Sequence, residues 1–128
     1  MTFELEQKIF NLKPEWFENL LFGIECGDGW FDLIQELVIK LIALETEEPD
    51  TFGGFKVAVI KEKFGGLRFY VDFGESSDVD ESKRIFTLIN SYEHKSFSVC
   101  ELCGKQARLK TLGYIRTLCR YPHDQTEG

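Results

Sequence analysis

Apolar residues recur at helical spacing through the first part of the chain and then switch to alternation. Phe3, Leu5, Ile9, Phe10 and Leu12 sit among charges, which predicts a short amphipathic helix over residues 2–12. Pro14 opens a second apolar turn, PEWFENLLFGI, read as another helical piece with the break at Lys13 and Pro14. The strongest helical pattern is CGDGWFDLIQELVIKLIALE. There Trp30, Leu33, Ile34, Leu37, Leu41 and Leu44 recur at three and four, with Asp28 or Gly29 placed to cap. TEEPDTFGG follows as a turn-rich connector.

Residues 54–74, GFKVAVIKEKFGGLRFYVDFG, change the period. Phe55, Val57 and Val59 alternate with Lys56, Ala58 and Ile60; Leu67, Phe69, Val71 and Phe73 alternate with Arg68, Tyr70 and Asp72. Phe64, Gly65 and Gly66 lie between the two runs, and the glycine pair supplies the positive φ of a tight reversal, so a β-hairpin is predicted. ESSDVDESKRIFTLINSYEHK then returns to helical spacing, with Ser77 or Asp78 as cap and Ile85, Phe86, Leu88, Ile89 and Tyr92 facing inward. The order predicts an α+β fold in which two or three helices pack on a small antiparallel β-hairpin or sheet. Residues 1–96 form the expected globular core, 97–123 a zinc-ribbon or treble-clef-like module packed on it, and 124–128 a disordered tail.

That module rests on CELCGKQARLKTLGYIRTLCRYPH, residues 100–123. A Cys-x-x-Cys turn followed by glycine aims two thiolates at one point, and Cys100, Cys103 and Gly104 have that spacing. QARL and YIRTL, about Leu112 and Gly113, can form a short hairpin that returns Cys119 to the first pair, and His123 follows four residues on. Three thiolates and one imidazole close a tetrahedral shell, so the predicted cofactor is a structural zinc with no open position for water. Pro122 disfavours helix at Tyr121, which leaves His94 as an alternative nitrogen donor and Cys26 as an alternative sulfur.

Composition bears on compartment and partners. The N-terminus MTFELEQKIF is acidic where an export signal is basic and then apolar, and no stretch reaches the roughly eighteen apolar residues of a bilayer span. A cytoplasmic protein with reduced thiols is the expectation, which favours metal ligation over disulfides. The net charge of −7 is unevenly spread. Residues 1–54 carry 3 basic and 12 acidic side chains, residues 55–71 carry 4 and 1, residues 72–94 carry 2 and 6, and residues 95–128 carry 6 and 3. No catalytic constellation stands out. The two histidines are His94 and His123, a Cys26–His94 pair has no local support, and GDG at 27–29 and GG at 65–66 lack the spacing of phosphate loops.

GDGWFDLI, VIKEKFGGLRFYVDF, CELCGKQARL and the final GYIRTLC together resemble a group of small phage and bacterial proteins. These share a GW helix start, a KEKFGGLRFY hairpin and a C-terminal Cys-x-x-Cys/Leu-Cys module, and the likeness covers about residues 24–123. This chain departs from them in carrying Arg120, Tyr121 and Pro122 where they have acidic residues. The resemblance implies accessory or mobile-element gene content, in which small acidic proteins neutralise a toxin or a host defence component.

Two functions follow as expectations. The first is a non-enzymatic acidic binding protein of the toxin-immunity or anti-defence type, which occludes a basic protein partner. Its acidic stretches are Glu45, Glu47, Glu48 and Asp50, together with residues 75–80; Phe52, Phe55 or Tyr70 would anchor it, and Lys61, Lys63 and Arg68 belong to the same expected partner surface. The second, ranked below it, is a zinc-containing nucleic-acid accessory protein. It would use Lys61, Lys63, Arg68, Lys105, Arg108, Lys110 and Arg116 on phosphates, with Tyr70 or Tyr114 for stacking.

Overall fold

The change of period in the sequence becomes the seam between helices and sheet. The structure is a computed structural model and describes residues 1–74, 79–111 and 113–119. Helices α1 (Phe3–Phe10), α2 (Phe31–Glu47) and α3 (Val79–Lys95) share one core with a three-stranded sheet of β1 (Ile24–Glu25), β2 (Lys56–Lys63) and β3 (Gly66–Asp72). A two-stranded antiparallel sheet, β4 (Arg108–Lys110) and β5 (Arg116–Leu118), belongs to the C-terminal module. The fold is therefore α+β, as the hydrophobic pattern predicts. The expected caps Ser77 and Asp78, Leu112, His123 and the tail 124–128 lie outside the described residues.

α2 forms because its apolar positions make one stripe. Leu33, Ile34, Leu37, Val38 and Leu41 are all buried, each contributing about 1.5–3 kcal/mol by leaving water, and Leu44 is half-buried at the end of the stripe. Beneath the far end of α2 lies an aromatic cluster. Trp16 stacks on Phe52 with centroids 5.4 Å apart and meets Phe55 edge-on at 4.7 Å.

Four local expectations change. PEWFENLLFGI is not a helix: Pro14–Phe17 is one 3-10 turn, and Ile24–Glu25 is a strand parallel to Ile60–Lys61. Gly23 causes the switch, since its φ of +64° leaves helical space and a Cβ there would meet the Glu6 carboxylate at 2.4 Å. That same carboxylate accepts a 2.6 Å hydrogen bond from the Ile24 amide. In β2 the alternation slips, because a bulge between Val57 and Val59 turns Ile60 inward and leaves Ala58 exposed and Val59 half-buried. Phe86 is 45% exposed rather than inward, resting edge-on against Phe73. Neither Asp28 nor Gly29 caps α2: Asp28 Oδ1 instead accepts from the Thr2 amide at 2.8 Å, and Asp28–Trp30 is a 3-10 turn leading into the helix.

The outer edge of β3 is blocked from pairing by α3 and the turn after it. Ser96 Oγ accepts from the Leu67 amide at 2.9 Å and Glu93 Oε2 from the Phe69 amide at 2.8 Å. Side chains thus satisfy the donors that would otherwise offer this edge to another strand.

Candidate metal centre

Residues 100–104 make a tight turn that closes with the Gly104 amide donating to the Cys100 carbonyl at 2.9 Å. Gly104 has φ of +81°, the left-handed conformation such a turn requires. β5 then returns the chain, and the sulfurs of Cys100, Cys103 and Cys119 all lie within 4.8 Å of one another, with Cys103 and Cys119 3.5 Å apart. Thiolates bound tetrahedrally to zinc at about 2.3 Å sit about 3.8 Å from each other, so the cluster has the dimensions of a structural metal site. None of the three is in a disulfide; Cys100 and Cys119 are buried and Cys103 is exposed.

The backbone prepares this site for negative charge. Burial alone would raise the Cys100 thiol, but the amides of Cys119, Cys103 and Leu102 donate toward its sulfur and bring its pKa down to about 6. The Lys105 amide favours the Cys103 thiolate, yet burial and the adjoining Cys119 and Cys100 sulfurs outweigh it, and that thiol is raised. A cation bound among the three sulfurs would relieve this mutual repulsion.

Of the alternative ligands, neither joins the cluster. Cys26 is buried in the core, and its thiol is pushed up to about 12, first by burial and then by the Glu101 carboxylate. His94 is exposed in the last turn of α3. The described residues therefore supply three ligands, and His123 lies outside them.

The GDG segment, read from sequence as a helix cap, is the seat on which the metal turn docks. A Cβ on Gly29 would fall 2.2 Å from the Cys100 carbonyl oxygen and 2.6 Å from the Cys103 nitrogen; one on Gly27 would fall 2.4 Å from the Glu101 carbonyl oxygen. The Gly29 amide donates to that Glu101 carbonyl at 2.8 Å, and the Trp30 indole donates to the Val99 carbonyl at 2.8 Å. Glu101, 6% exposed, is a residue the sequence reading passed over. Its carboxylate accepts from the Gly27 amide at 2.9 Å and from Arg116 at 3.2 Å, which ties core, turn and β5 together. A carboxylate inside the Cys-x-x-Cys turn was the available signal.

The hairpin turn of β2 and β3 meets the module from the other side. Thr117 Oγ1 donates to the Gly65 carbonyl at 2.5 Å, and a Cβ on Gly65 would strike Leu109 at 2.3 Å. Two basic segments far apart in sequence are thereby joined at one end of the molecule. Residues 61–68 and 101–116 carry seven basic side chains against two acidic ones, Glu62 and Glu101. Both acids are engaged, Glu62 by the Gly65 amide at 2.7 Å. Lys61, Lys63, Arg68, Lys105 and Arg108 form no ion pair among the described residues.

The expected acidic surface is differently placed. Glu45, Glu47, Glu48 and Asp50 sit at or just past the C-terminal end of α2, a helix about 25 Å long at a rise of about 1.5 Å per residue, whose other end follows the GDG seat of the metal turn. Glu45 pairs with Lys13 at 2.6 Å, and Glu47 and Glu48 pair with Arg84. Phe52, expected as a partner anchor, is 5% exposed and packed against Trp16, and Phe55 is buried beside it. Tyr70 is the one expected anchor that is exposed. No helix among the described residues is long and apolar enough to cross a membrane. Compared with protein-family models, curated proteins and solved structures, the chain matches none of them.

Proposed function

We propose that this protein is a non-enzymatic accessory protein, stapled by a structural zinc, that binds nucleic acid through the pole shared by the β2–β3 turn and the metal module. The observation that carries this reading is the joining of two basic segments at one end, where Lys61, Lys63, Arg68, Lys105 and Arg108 form no ion pair among the described residues, while Glu45, Glu47 and Glu48 at the other end of α2 are paired internally. Lys61 and Arg68 are direct cross-strand neighbours, a like-charge pairing that weakens a sheet. Glu25, beside Lys61 on β1, relieves that repulsion from one side only. A bound phosphate would relieve it from the other.

The net charge of −7 does not oppose this reading at physiological salt. Screening acts over about 8 Å there, and the acidic end of α2 lies at the opposite end of a helix about 25 Å long from the GDG seat of the metal turn. Zinc would be held by Cys100, Cys103 and Cys119, with His123, which lies outside the described residues, as the fourth ligand expected from sequence, and its role would be to hold the basic module in register with the hairpin. Occlusion of a basic protein by the acidic run, the first expectation from sequence, has less support because Glu45, Glu47 and Glu48 are paired and Phe52 and Phe55 are buried.

Fluorescence anisotropy of a labelled oligonucleotide titrated with zinc-loaded protein tests the proposal. Binding should weaken as salt rises, with a log–log slope of about −2 to −3 for three or four phosphate contacts, and Lys61→Glu with Arg68→Glu should abolish it. Absence of binding at low salt would sink the nucleic-acid reading. Recovery of a stoichiometric protein partner lost on Glu47→Lys with Asp50→Lys would put occlusion in its place.

A further inference from the structure

We infer that the tip of the β2–β3 hairpin is a stacking element for unpaired nucleic-acid bases, with Phe64 as its main ring; this rests on the nucleic-acid reading above and names the form of the ligand. Lys63 pairs with Gly66, so the turn has two residues, Phe64 and Gly65, with φ of +53° and +85°. Positive φ at both positions is the type I′ geometry, which favours asparagine, aspartate or glycine at the first position. A bulky side chain there is a genuine outlier, and Phe64 is the sole non-glycine residue with positive φ among those described.

Packing does not explain the phenylalanine. The residue is 60% exposed and its ring has no aromatic neighbour among the described residues; the Lys63 ammonium lies 5.6 Å from the ring centroid. A residue that is unfavourable for the turn and unfavourable in water is a candidate for contact with something outside the chain.

The surroundings specify the partner's chemistry. Lys61 and Arg68 face each other on one rung, two from the Lys63–Gly66 pair that closes the turn, and Tyr70, 46% exposed, lies two rungs further along, opposite Val59. Tyr114, 91% exposed at the turn of β4 and β5, shares a cleft of about 390 Å³ with Glu62. Exposed rings interleaved with unpaired cations are the pattern that holds single strands, where bases stack on the rings and phosphates meet the cations. In a duplex the base faces are already stacked on one another, so these rings would find no partner.

The test uses zinc-loaded full-length protein, a fluorescein-labelled oligothymidylate and a labelled duplex of equal length at low salt. Phe64→Asn installs a residue that the turn prefers, so its melting temperature should equal or exceed that of the wild type. Its affinity for oligothymidylate should nonetheless fall about five- to 150-fold, and Phe64→Trp should retain it. An Asn variant that binds like the wild type, or a wild type that binds the duplex as tightly as the single strand, would overturn the inference while leaving the nucleic-acid reading in place. A wild type that binds neither oligonucleotide overturns both.

Discussion

The core and the C-terminal module are held together by different physics. From Ile9 to Tyr92 a single cluster of buried side chains, with two tryptophans and a run of leucine, isoleucine and valine, removes apolar area from water. Beyond Ser96 the buried apolar residues among those described are Cys100 and Cys119, both metal-ligand candidates, while Glu101 and Thr117 are buried polar groups tied by hydrogen bonds. Ordering each backbone residue costs roughly 1–2 kcal/mol, and two thiols cannot offset that across the module. The core is held by its own packing; the module is where the proposed zinc would act. What the difference teaches is that glycines at 27 and 29 serve the weaker region, because only a bare backbone lets the metal turn approach closely enough to exchange hydrogen bonds with the core.

The sharpest way to break the comparison is to remove the proposed zinc. Structural zinc is worth about 10–16 kcal/mol of apparent folding free energy, so chelation or Cys103→Ser should release amide protection across residues 98–119 while leaving that of α2 intact. Hydrogen exchange read by mass spectrometry checks this, and uniform loss over the whole chain would contradict it. The opposite perturbation, Leu37→Ala, should cost about 2–5 kcal/mol of core stability in denaturant melts with the zinc stoichiometry unchanged.

Gly29→Ala probes the seam. Its Cβ would lie 2.2 Å from a backbone oxygen that cannot move independently of the metal turn, so a penalty of about 1–3 kcal/mol should appear as faster exchange in the module before the core responds. The last effect, absent at neutral pH, is a pH dependence at Cys26. The Cys26 thiol is raised by burial from 9.0 to about 12, so the fold favours its neutral form. That contribution is complete below pH 9 and is lost as pH rises toward 12, at no more than about 1.4 kcal/mol per unit. Cys26→Ala should flatten this part of the stability profile relative to the wild type, and parallel profiles would show that the thiol contributes nothing.

Much of the framework is legible in the chain because it depends on local period. α2 follows from apolar residues at three and four, the hairpin from alternation about Gly65, and the cysteine cluster from the Cys-x-x-Cys-Gly turn with a distant third thiol. The misread places share one cause, an interaction made by residues remote in sequence. Ile24 and Glu25 become a strand because β2 lies beside them, and the bulge at Ala58 reverses which side of β2 is buried. Phe52 carries the same aromatic signal whether it anchors a partner or stacks on Trp16, and only the packing distinguishes the two.

By itself, then, the order of residues determined the α+β class, the principal helices, the hairpin and the three thiols that converge, since each needs only neighbours in the chain. Tertiary structure decided that GDG is a docking seat, that Glu101 clamps the module to the core, and that the basic segments 61–68 and 101–116 meet while Glu45–Asp50 lies at the other end of α2. Charge and backbone access act through space, so their meaning emerged only once the chain had folded.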